Sequence, residues 1–159
     1  MEFRVGQGFD AHALVPGRRL VLAGVEVPAA RGLLGHSDAD VVAHAVIDAL
    51  LGAGTLGDIG KMFPDSDPRY QDADSMQLLR AAVARVTGEG WTIANVDCTV
   101  IAQQPKIAPY VEAMRAALAA ALGIDAAAVS IKGKTTEWLG FTGRGEGIAS
   151  LVVAALTRA

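Results

Sequence analysis

The alternation of hydrophobic and polar positions predicts two strands and a helix at the start of the chain. Residues 2–9 alternate as a half-buried strand does, and residues 19–28 carry β-branched side chains at alternate positions before a proline ends the run. Apolar residues at helical spacing then mark residues 38–51, with Asp38 as the predicted N-cap and Gly52 as the predicted stop.

A long irregular stretch follows at residues 52–73, and its richness in Gly, Pro and Asp is typical of a functional loop. The order of all predicted elements is ββααβαββ, which indicates an α+β fold with a mixed sheet and helices packed on one face. We expect a single domain over residues 1–159. The later elements are a helix at 75–87, a strand at 91–103, a helix at 107–122, a strand at 129–134 and a strand at 148–157.

The composition narrows the possible classes of protein. Hydrophobic residues make up 52% of the chain, and many are alanines, which predicts closely packed subunit contacts. The net charge of −3 provides no positive electrostatic potential that would attract nucleic acid. The single cysteine, Cys98, excludes an internal disulfide and is expected in the core. Without a leader or an apolar run of roughly 18 residues, the sequence predicts a soluble, cytoplasmic protein without a membrane span.

Three residues near the N-terminus form a candidate metal site. Asp10 and His12 are two positions apart in an extended segment, so their side chains point to the same side. His44 lies inside the first helix, in a row with Asp40 and Asp48, either of which could orient its imidazole. Two nitrogens and one oxygen with an open fourth position are typical of catalytic zinc. A surface salt bridge and simple helix solvation are the alternatives.

Two further segments suggest phosphate and polyol contacts. His36 and Ser37 precede the helix N-terminus, where backbone N–H groups attract phosphate, although Ser37 could equally be only a cap. In the 52–73 loop, Asp58 and Asp65 could accept hydrogen bonds from hydroxyls, and Phe63 could cover a carbon skeleton. The alternative is a surface loop in which the aspartates support turns.

The Gly-rich segment KGKTTEWLGFTGRGEG supplies hydroxyls, an arginine and glycine amides that suit a diphosphate. Glu137 within it could hold a hard divalent cation that bridges phosphate oxygens. The order and spacing of several motifs resemble the family of 2-C-methyl-D-erythritol 2,4-cyclodiphosphate synthases over nearly the whole chain. These motifs are GQGFDAH, GLLGHSDADVVAHAVIDALLGA, LGDIGKMFPDSDP, ADS, NVDCTVIAQQPKIAPY and KTTEWLGFTGRGEGIA.

This resemblance implies roles for individual residues. Asp10, His12 and His44 would hold one zinc ion per subunit, while His36 and Thr135 would stabilise the transition state. Glu137 would hold Mg²⁺ or Mn²⁺ at the substrate diphosphate. The implied substrate-binding residues are Ser37, Asp58, Gly60, Phe63, Asp65 and Asp67 for the erythritol, Ala102 to Lys106 with Ile107 and Ala108 for the cytidine, Lys134, Thr136 and Glu137 for the diphosphate, and Phe141 and Arg144 for further contacts.

The resemblance also implies an activity and an assembly. The enzyme, a phosphorus–oxygen lyase, would convert 4-diphosphocytidyl-2-C-methyl-D-erythritol 2-phosphate to 2-C-methyl-D-erythritol 2,4-cyclodiphosphate and CMP in non-mevalonate isoprenoid biosynthesis. It would be a homotrimer with active sites between subunits, and Phe9, Arg144 and Glu146 would lie near a threefold axis that could bind an isoprenoid diphosphate. At Lys134 and Trp138 this chain has residues that differ from those of many relatives, and these differences could affect nucleotide binding. Two other hypotheses compete with this one. The protein could be a non-catalytic trimer that senses nucleotides, or a structural trimer in which the metal only holds the subunits together.

Overall fold

The computed structural model describes residues 1–159 and contains a five-stranded mixed sheet in the order β4-β1-β7-β5-β6. All neighbouring strands are antiparallel except β5 and β6, and β2 and β3 form a separate hairpin. The strands are β1 Glu2–Pro16, β2 Leu20–Leu22, β3 Val25–Val27, β4 Arg31–Leu33, β5 Thr92–Ile101, β6 Val129–Lys134 and β7 Gly147–Arg158.

The helices pack on one face of this sheet, which confirms the predicted α+β class. The helix α1 is buried on nearly all sides because it lies between the sheet and α3. No helix in the structure has both the length and the apolar character that a bilayer span requires. The helices are α1 Val41–Gly54, α2 Ile59–Met62, α3 Ser75–Gly88, α4 Val111–Leu122 and α5 Gly140–Gly143, with short 3₁₀ turns at Pro68–Tyr70, Ala108–Tyr110 and Ala126–Ala128.

Two glycines of β1 allow α1 to lie directly on the strand. A Cβ atom on Gly8 would stand 1.8 Å from the carbonyl oxygen of Ala45, and one on Gly6 would stand 2.0 Å from that of Ala49. Both positions are therefore closed to any side chain unless the helix moves away. Since Gly8 precedes Asp10 by two residues and Ala45 follows His44 directly, this close approach brings the residues of the candidate metal site on the strand and on the helix together.

The opposite face of the sheet is uncovered in the single chain and carries several exposed apolar side chains beside polar ones such as Gln7. Side chains on alternate positions of β1 point away from the helices, and Phe3 and Phe9 are 62% and 56% exposed. Val5 lies between them, and Val153 of β7 extends the same surface. Cys98, by contrast, is free and buried in β5, where the sequence predicted a core residue.

Several predicted element boundaries are wrong for local reasons. Residues 19–28 form two strands and a tight turn instead of one strand, because Ala23 and Gly24 adopt left-handed φ values of 51° and 75°. The helix predicted from residue 38 begins at Val41, and Asp40 is its N-cap. Gly52 does not end this helix, which continues to Gly54.

Other differences concern element length. The first strand continues to Pro16, because its last residues pair with β4, a short strand that the sequence pattern did not indicate. The predicted irregular stretch contains α2 and a 3₁₀ turn. The helix predicted from residue 107 starts at Val111, after a 3₁₀ turn that contains a proline. The strand predicted at residues 148–157 is confirmed.

Candidate metal centre and active-site cavity

The side chains of Asp10, His12 and His44 converge on one point between β1 and α1. Nε2 of His12 and Nδ1 of His44 each lie 3.0 Å from Oδ2 of Asp10. One ligand atom from each residue lies within 4.8 Å of the others. Ligands of a tetrahedral zinc ion at about 2.1 Å from the metal stand about 3.4 Å apart, so this donor set fits such an ion.

Hydrogen bonding shifts the pKa values of both candidate ligands on β1. The pKa of Asp10 falls to about 2: burial alone would raise it, but hydrogen bonds from His12 and His44 outweigh that effect. Burial likewise opposes charge on His12, yet its hydrogen bond with Asp10 raises the pKa of the imidazole overall. Nδ1 of His12 lies 2.8 Å from the backbone oxygen of Leu34, to which it donates.

The residues that orient His44 are not those that the sequence indicated. Nε2 of His44 lies 2.8 Å from Oγ of Ser75 and 3.1 Å from Oγ of Ser37. Asp40 instead accepts hydrogen bonds from backbone N–H groups at the start of α1 and in the β2–β3 turn. Asp48 accepts the N–H of Ile59. The predicted role of Asp40 and Asp48 in orienting the imidazole is therefore wrong.

The phosphate site predicted at the N-terminus of α1 is also wrong. The carboxylate of Asp40 already accepts the N–H groups of Val42 and Ala43, and it is completely buried. A phosphate therefore has no access to this helix end. Oγ of Ser37 accepts the N–H of Ala39, so this serine shapes the turn that precedes the helix.

A cavity of about 270 Å³ opens beside the three candidate ligands. His36 is one of its lining residues, and the buried Nε2 of its ring has no hydrogen-bond partner in the protein. Asp65 and His12 both line this cavity, and the negative charge of Asp65 contributes to the raised pKa of His12. The lining residues are Asp10, His12, Gly35, His36, Ser37, His44, Ile59, Gly60, Phe63, Asp65, Tyr70 and Leu78.

Asp58 and Asp67 do not line this cavity. The side chain of Asp58 accepts the N–H of Lys61 and caps α2. The carboxylate of Asp67 caps the following 3₁₀ turn and pairs with Arg69 at 2.6 Å. Hydrogen bonding by Arg69 lowers the pKa of Asp67. These two carboxylates hold the shape of the loop, the alternative that the sequence left open.

A second cavity of about 250 Å³ lies at the ends of β5 and β6. It shares no lining residue with the first cavity, so His36 and Thr135 open into different cavities of the same chain. The lining residues are Ala102, Gln103, Pro105, Lys106, Ile107, Ala108, Val111, Gly133, Lys134 and Thr135.

This chain matches the model of the YgbB family over residues 3–157. The chain belongs to the YgbB family. The resemblance to 2-C-methyl-D-erythritol 2,4-cyclodiphosphate synthases that the motifs indicated is thereby confirmed. A protein of that name from Azoarcus sp. (strain BH72) is 64% identical over 157 residues, which cover 99% of this chain and 97% of the relative. Its namesake from Moorella thermoacetica is 59% identical over 153 residues, which cover 96% and 94%.

Solved structures of YgbB relatives share the fold. The bifunctional IspDF from Campylobacter jejuni is 43% identical with a TM-score of 0.96, and the match covers 99% of this chain and 43% of that longer one. The CDP complex of IspF from Plasmodium falciparum is 34% identical with a TM-score of 0.86, and the match covers 98% and 96% of the two chains.

The segment after β6 in this YgbB chain lines neither cavity beyond Thr135. Thr136 donates to the backbone oxygen of Leu139 at 2.6 Å, which closes a turn. Glu137 and Trp138 adopt left-handed φ values of 54° and 67°, and both side chains are exposed. Phe141 is 41% exposed, so this segment presents side chains outward.

Arg144 is held by an ion pair with Glu146 at 2.9 Å, in which each side chain is more than half exposed. Sequence reasoning missed Tyr70 and Leu78 in the first cavity and Ser75 behind His44. Ser75 is the first residue of α3, where a hydroxyl normally indicates a cap. Only the tertiary packing of α3 against α1 reveals its contact with the imidazole.

Proposed function

We propose that this chain converts 4-diphosphocytidyl-2-C-methyl-D-erythritol 2-phosphate to 2-C-methyl-D-erythritol 2,4-cyclodiphosphate and CMP. A 2-phosphate oxygen attacks the β-phosphorus, and the bond from that phosphorus to the oxygen shared with the α-phosphate breaks. The product is a cyclic diphosphate, and CMP leaves with the bridging oxygen. This makes the chain a phosphorus–oxygen lyase of non-mevalonate isoprenoid biosynthesis. The convergence of Asp10, His12 and His44 beside a cavity is the observation that carries the proposal.

The protein needs no nucleophile of its own, because the attacking oxygen belongs to the substrate. Its work is to hold a folded substrate and to stabilise the charge that moves during transfer. Asp10, His12 and His44 would hold zinc, which when bound polarises a phosphoryl oxygen. The unpartnered Nε2 of the half-buried His36 supports a role in donating to a phosphate oxygen as negative charge develops there.

The first cavity suits the methylerythritol part of the substrate. Asp65 offers a carboxylate to its hydroxyls, and Phe63 offers an apolar wall to its carbon skeleton. Ser37 and the backbone at Gly60 complete the polar lining, and Asp58 and Asp67 keep the surrounding loop in shape.

The second cavity suits the cytidine diphosphate part. Its wall is formed by Ala102, Gln103, Pro105 and Lys106, with Ile107 and Ala108, and Lys134 supplies a positive charge. Thr135 would stabilise the transition state, while Thr136 and Glu137 would lie at the diphosphate with Mg²⁺ or Mn²⁺ on the Glu137 carboxylate. The CDP complex of the Plasmodium falciparum relative supports a cytidine nucleotide as the ligand class.

The separation of the two cavities supports a homotrimer with each active site between subunits. His36 and Thr135 would then meet across an interface. The exposed side chains of Phe3 and Phe9 on the uncovered face of the sheet support burial against other copies. Phe9, Arg144 and Glu146 would lie near the axis, where an isoprenoid diphosphate could bind, and Phe141 and Arg144 would make further substrate contacts.

One domain of 159 residues would carry these functions, since a single cluster of 40 buried residues forms its core. A cytoplasmic location fits the free Cys98. The decisive experiment is incubation with the cytidyl diphosphate substrate, Zn²⁺ and Mg²⁺, followed by ³¹P NMR. We expect resonances of a cyclic diphosphate together with those of CMP. Binding without CMP release would indicate a nucleotide-sensing module, and dissociation of subunits on chelation without turnover would indicate a structural metal.

A further inference from the structure

The hydroxyl of Ser75 and the carboxylate of Asp38 form a chain of hydrogen bonds that begins at the imidazole of His44. Oγ of the fully buried Ser75 lies 2.8 Å from Nε2 of His44. On its other side, this hydroxyl donates to Oδ1 of Asp38. Oδ2 of Asp38 accepts the backbone N–H of Ser75 at 3.1 Å, so the carboxylate accepts two hydrogen bonds from this serine.

The direction of these hydrogen bonds follows from the chemistry of the groups. An ionised carboxylate only accepts, and a serine hydroxyl carries a single proton. The proton of Ser75 is therefore committed to Asp38, and its oxygen offers only lone pairs to His44. Nε2 of His44 must then be the protonated nitrogen that donates to Ser75. Nδ1, the other ring nitrogen, faces Oδ2 of Asp10 at 3.0 Å, and a metal ion held at Asp10 would replace the proton that these two atoms share.

We propose that Asp38 and Ser75 are positioning residues that fix His44 in its Nε2–H tautomer and so present Nδ1 to the metal. The inference rests on the proposed metal centre. Neither residue touches the substrate cavity, because neither belongs to its lining. Their effect on metal affinity would therefore pass through the orientation of His44, in the way that hydrogen-bond partners of metal-bound histidines commonly act.

The competing role for the pair is purely structural. Asp38 and Ser75 connect the turn before α1 to the first residue of α3, and this link could serve only the fold. Ser37, whose Oγ lies 3.1 Å from the same imidazole nitrogen, could also supply the acceptor. A useful test must therefore report on the imidazole itself and on zinc affinity, not on activity alone.

The first measurement is ¹⁵N NMR of the full chain with labelled histidine, in which only three imidazoles give signals. In the zinc-loaded protein, we expect His44 to be protonated at Nε2 and to bind the ion through Nδ1. Ser75→Ala should shift the Nε2–H signal of His44 and speed its exchange with water, whereas Ser37→Ala should leave that signal nearly unchanged. Protonation of His44 at Nδ1 in the unaltered chain would overturn the proposal, and so would an unchanged Nε2–H signal in Ser75→Ala.

The second measurement is the zinc dissociation constant, obtained by competition with a chromogenic chelator. We expect Ser75→Ala and Asp38→Asn each to weaken zinc binding about 10- to 100-fold. The double variant should lose little beyond Ser75→Ala, because both changes break the same chain of hydrogen bonds. Asp74→Ala is the matched control, since it removes the side chain that caps α3 but leaves the hydroxyl of Ser75 in place.

This control distinguishes a loss of fold stability from a loss of the correct orientation of the His44 imidazole. Asp74→Ala should lower the melting temperature and keep the zinc affinity of the unaltered chain. If Ser75→Ala binds zinc as tightly as Asp74→Ala does, the structural role is correct and the positioning role is wrong. Neither measurement requires turnover. A chain that shows the expected tautomer and affinities but releases no CMP would contradict only the proposed enzymatic function.

Discussion

Nδ1 of His12 lies 2.8 Å from the backbone oxygen of Leu34. A carbonyl oxygen only accepts, so this nitrogen carries the proton and Nε2 of His12 is left to bind a metal. His44 faces Asp10 with the opposite nitrogen, Nδ1. The two rings meet nearly edge to face, with centroids 5.4 Å apart and planes inclined at 66°. The site therefore depends on two separate hydrogen bonds that each select one nitrogen of a histidine.

Replacement of the helix ligand should remove metal and activity together. We expect His44→Ala to lose bound zinc, measured by elemental analysis after dialysis, and to release CMP only at background level. His36→Ala is the control, because its imidazole lines the cavity without belonging to the ligand set. That variant should keep zinc but lose turnover. Full activity of His44→Ala would rule out its assignment as a ligand.

The cavity carboxylate should affect substrate binding without affecting the metal. Asp65→Ala should lower kcat/KM about 10- to 100-fold, which is the effect expected from losing hydrogen bonds to a charged group. Its zinc content should not change. Asp67→Ala should have a smaller effect, since Arg69 already binds that carboxylate. Zinc loss in Asp65→Ala would contradict the role given to this residue.

Acid should weaken the metal-free protein through Asp10. The pKa of Asp10 in the folded chain, about 2, lies below its ordinary value of 3.8. The carboxylate therefore stabilises the fold above about pH 4, and this contribution disappears as the pH falls towards 2. The raised pKa of His12 acts in the opposite sense and in a higher range, because its contribution is complete below pH 6.5 and declines as the pH rises through the raised pKa.

The measurement compares urea unfolding of the unaltered chain with that of Asp10→Asn, both freed of metal, at pH 2, 3 and 4. The difference in unfolding free energy should shrink by about 1–2 kcal/mol towards pH 2, a figure reduced from the full pKa shift because the side chain is partly exposed. A difference that stays constant over this range would mean that the two histidines do not lower the pKa of Asp10.

Substitution of the glycine under α1 should damage both stability and metal binding. A methyl group on Gly8 would overlap the carbonyl oxygen of Ala45, so the helix must move outward. We expect Gly8→Ala to cost about 3 kcal/mol in unfolding free energy and to weaken zinc binding. Gly52→Ala is the matched control, since nothing lies within 4 Å of its added carbon. Gly52 lies in α1, so alanine there should stabilise the protein by about 0.5–1 kcal/mol.

Mixed assemblies should regain activity if the two cavities act across an interface. His36→Ala damages only the first cavity, and Lys106→Ala damages only the second. When equal amounts of these inactive chains are unfolded and refolded together, random trimers should contain about one quarter intact sites. CMP release should rise accordingly above that of either chain alone. No recovery in confirmed mixed trimers would mean that the cavities of one chain serve the same site.

The sequence predicted the elements whose signal is local. The apolar run at residues 148–157 and the helical spacing in α1 and α3 led to the correct element types, and Gly123 ends α4 with a left-handed φ of 69°. The i, i+2 spacing of Asp10 and His12 also placed both side chains on one side of β1. In each case the decisive interaction lies within a few residues along the chain.

The parts that were missed depend on distant contacts. Asp40 rather than Asp38 caps α1 because the buried carboxylate of Asp40 also holds the turn at Ala23 and Gly24. Asp38 instead reaches across to Ser75. Two aspartates separated by one residue are equivalent as local helix signals, and only the packing of the hairpin and α3 distinguishes them.

The burial of Cys98 has a practical consequence for studying assembly. Burial raises the pKa of this thiol to about 12, so almost no thiolate is available for alkylation near neutral pH. A cysteine introduced at the exposed helical position Ala84 would then be the one reactive thiol in each chain. Fluorescent dyes attached there would report subunit exchange by energy transfer, with the native cysteine left in place.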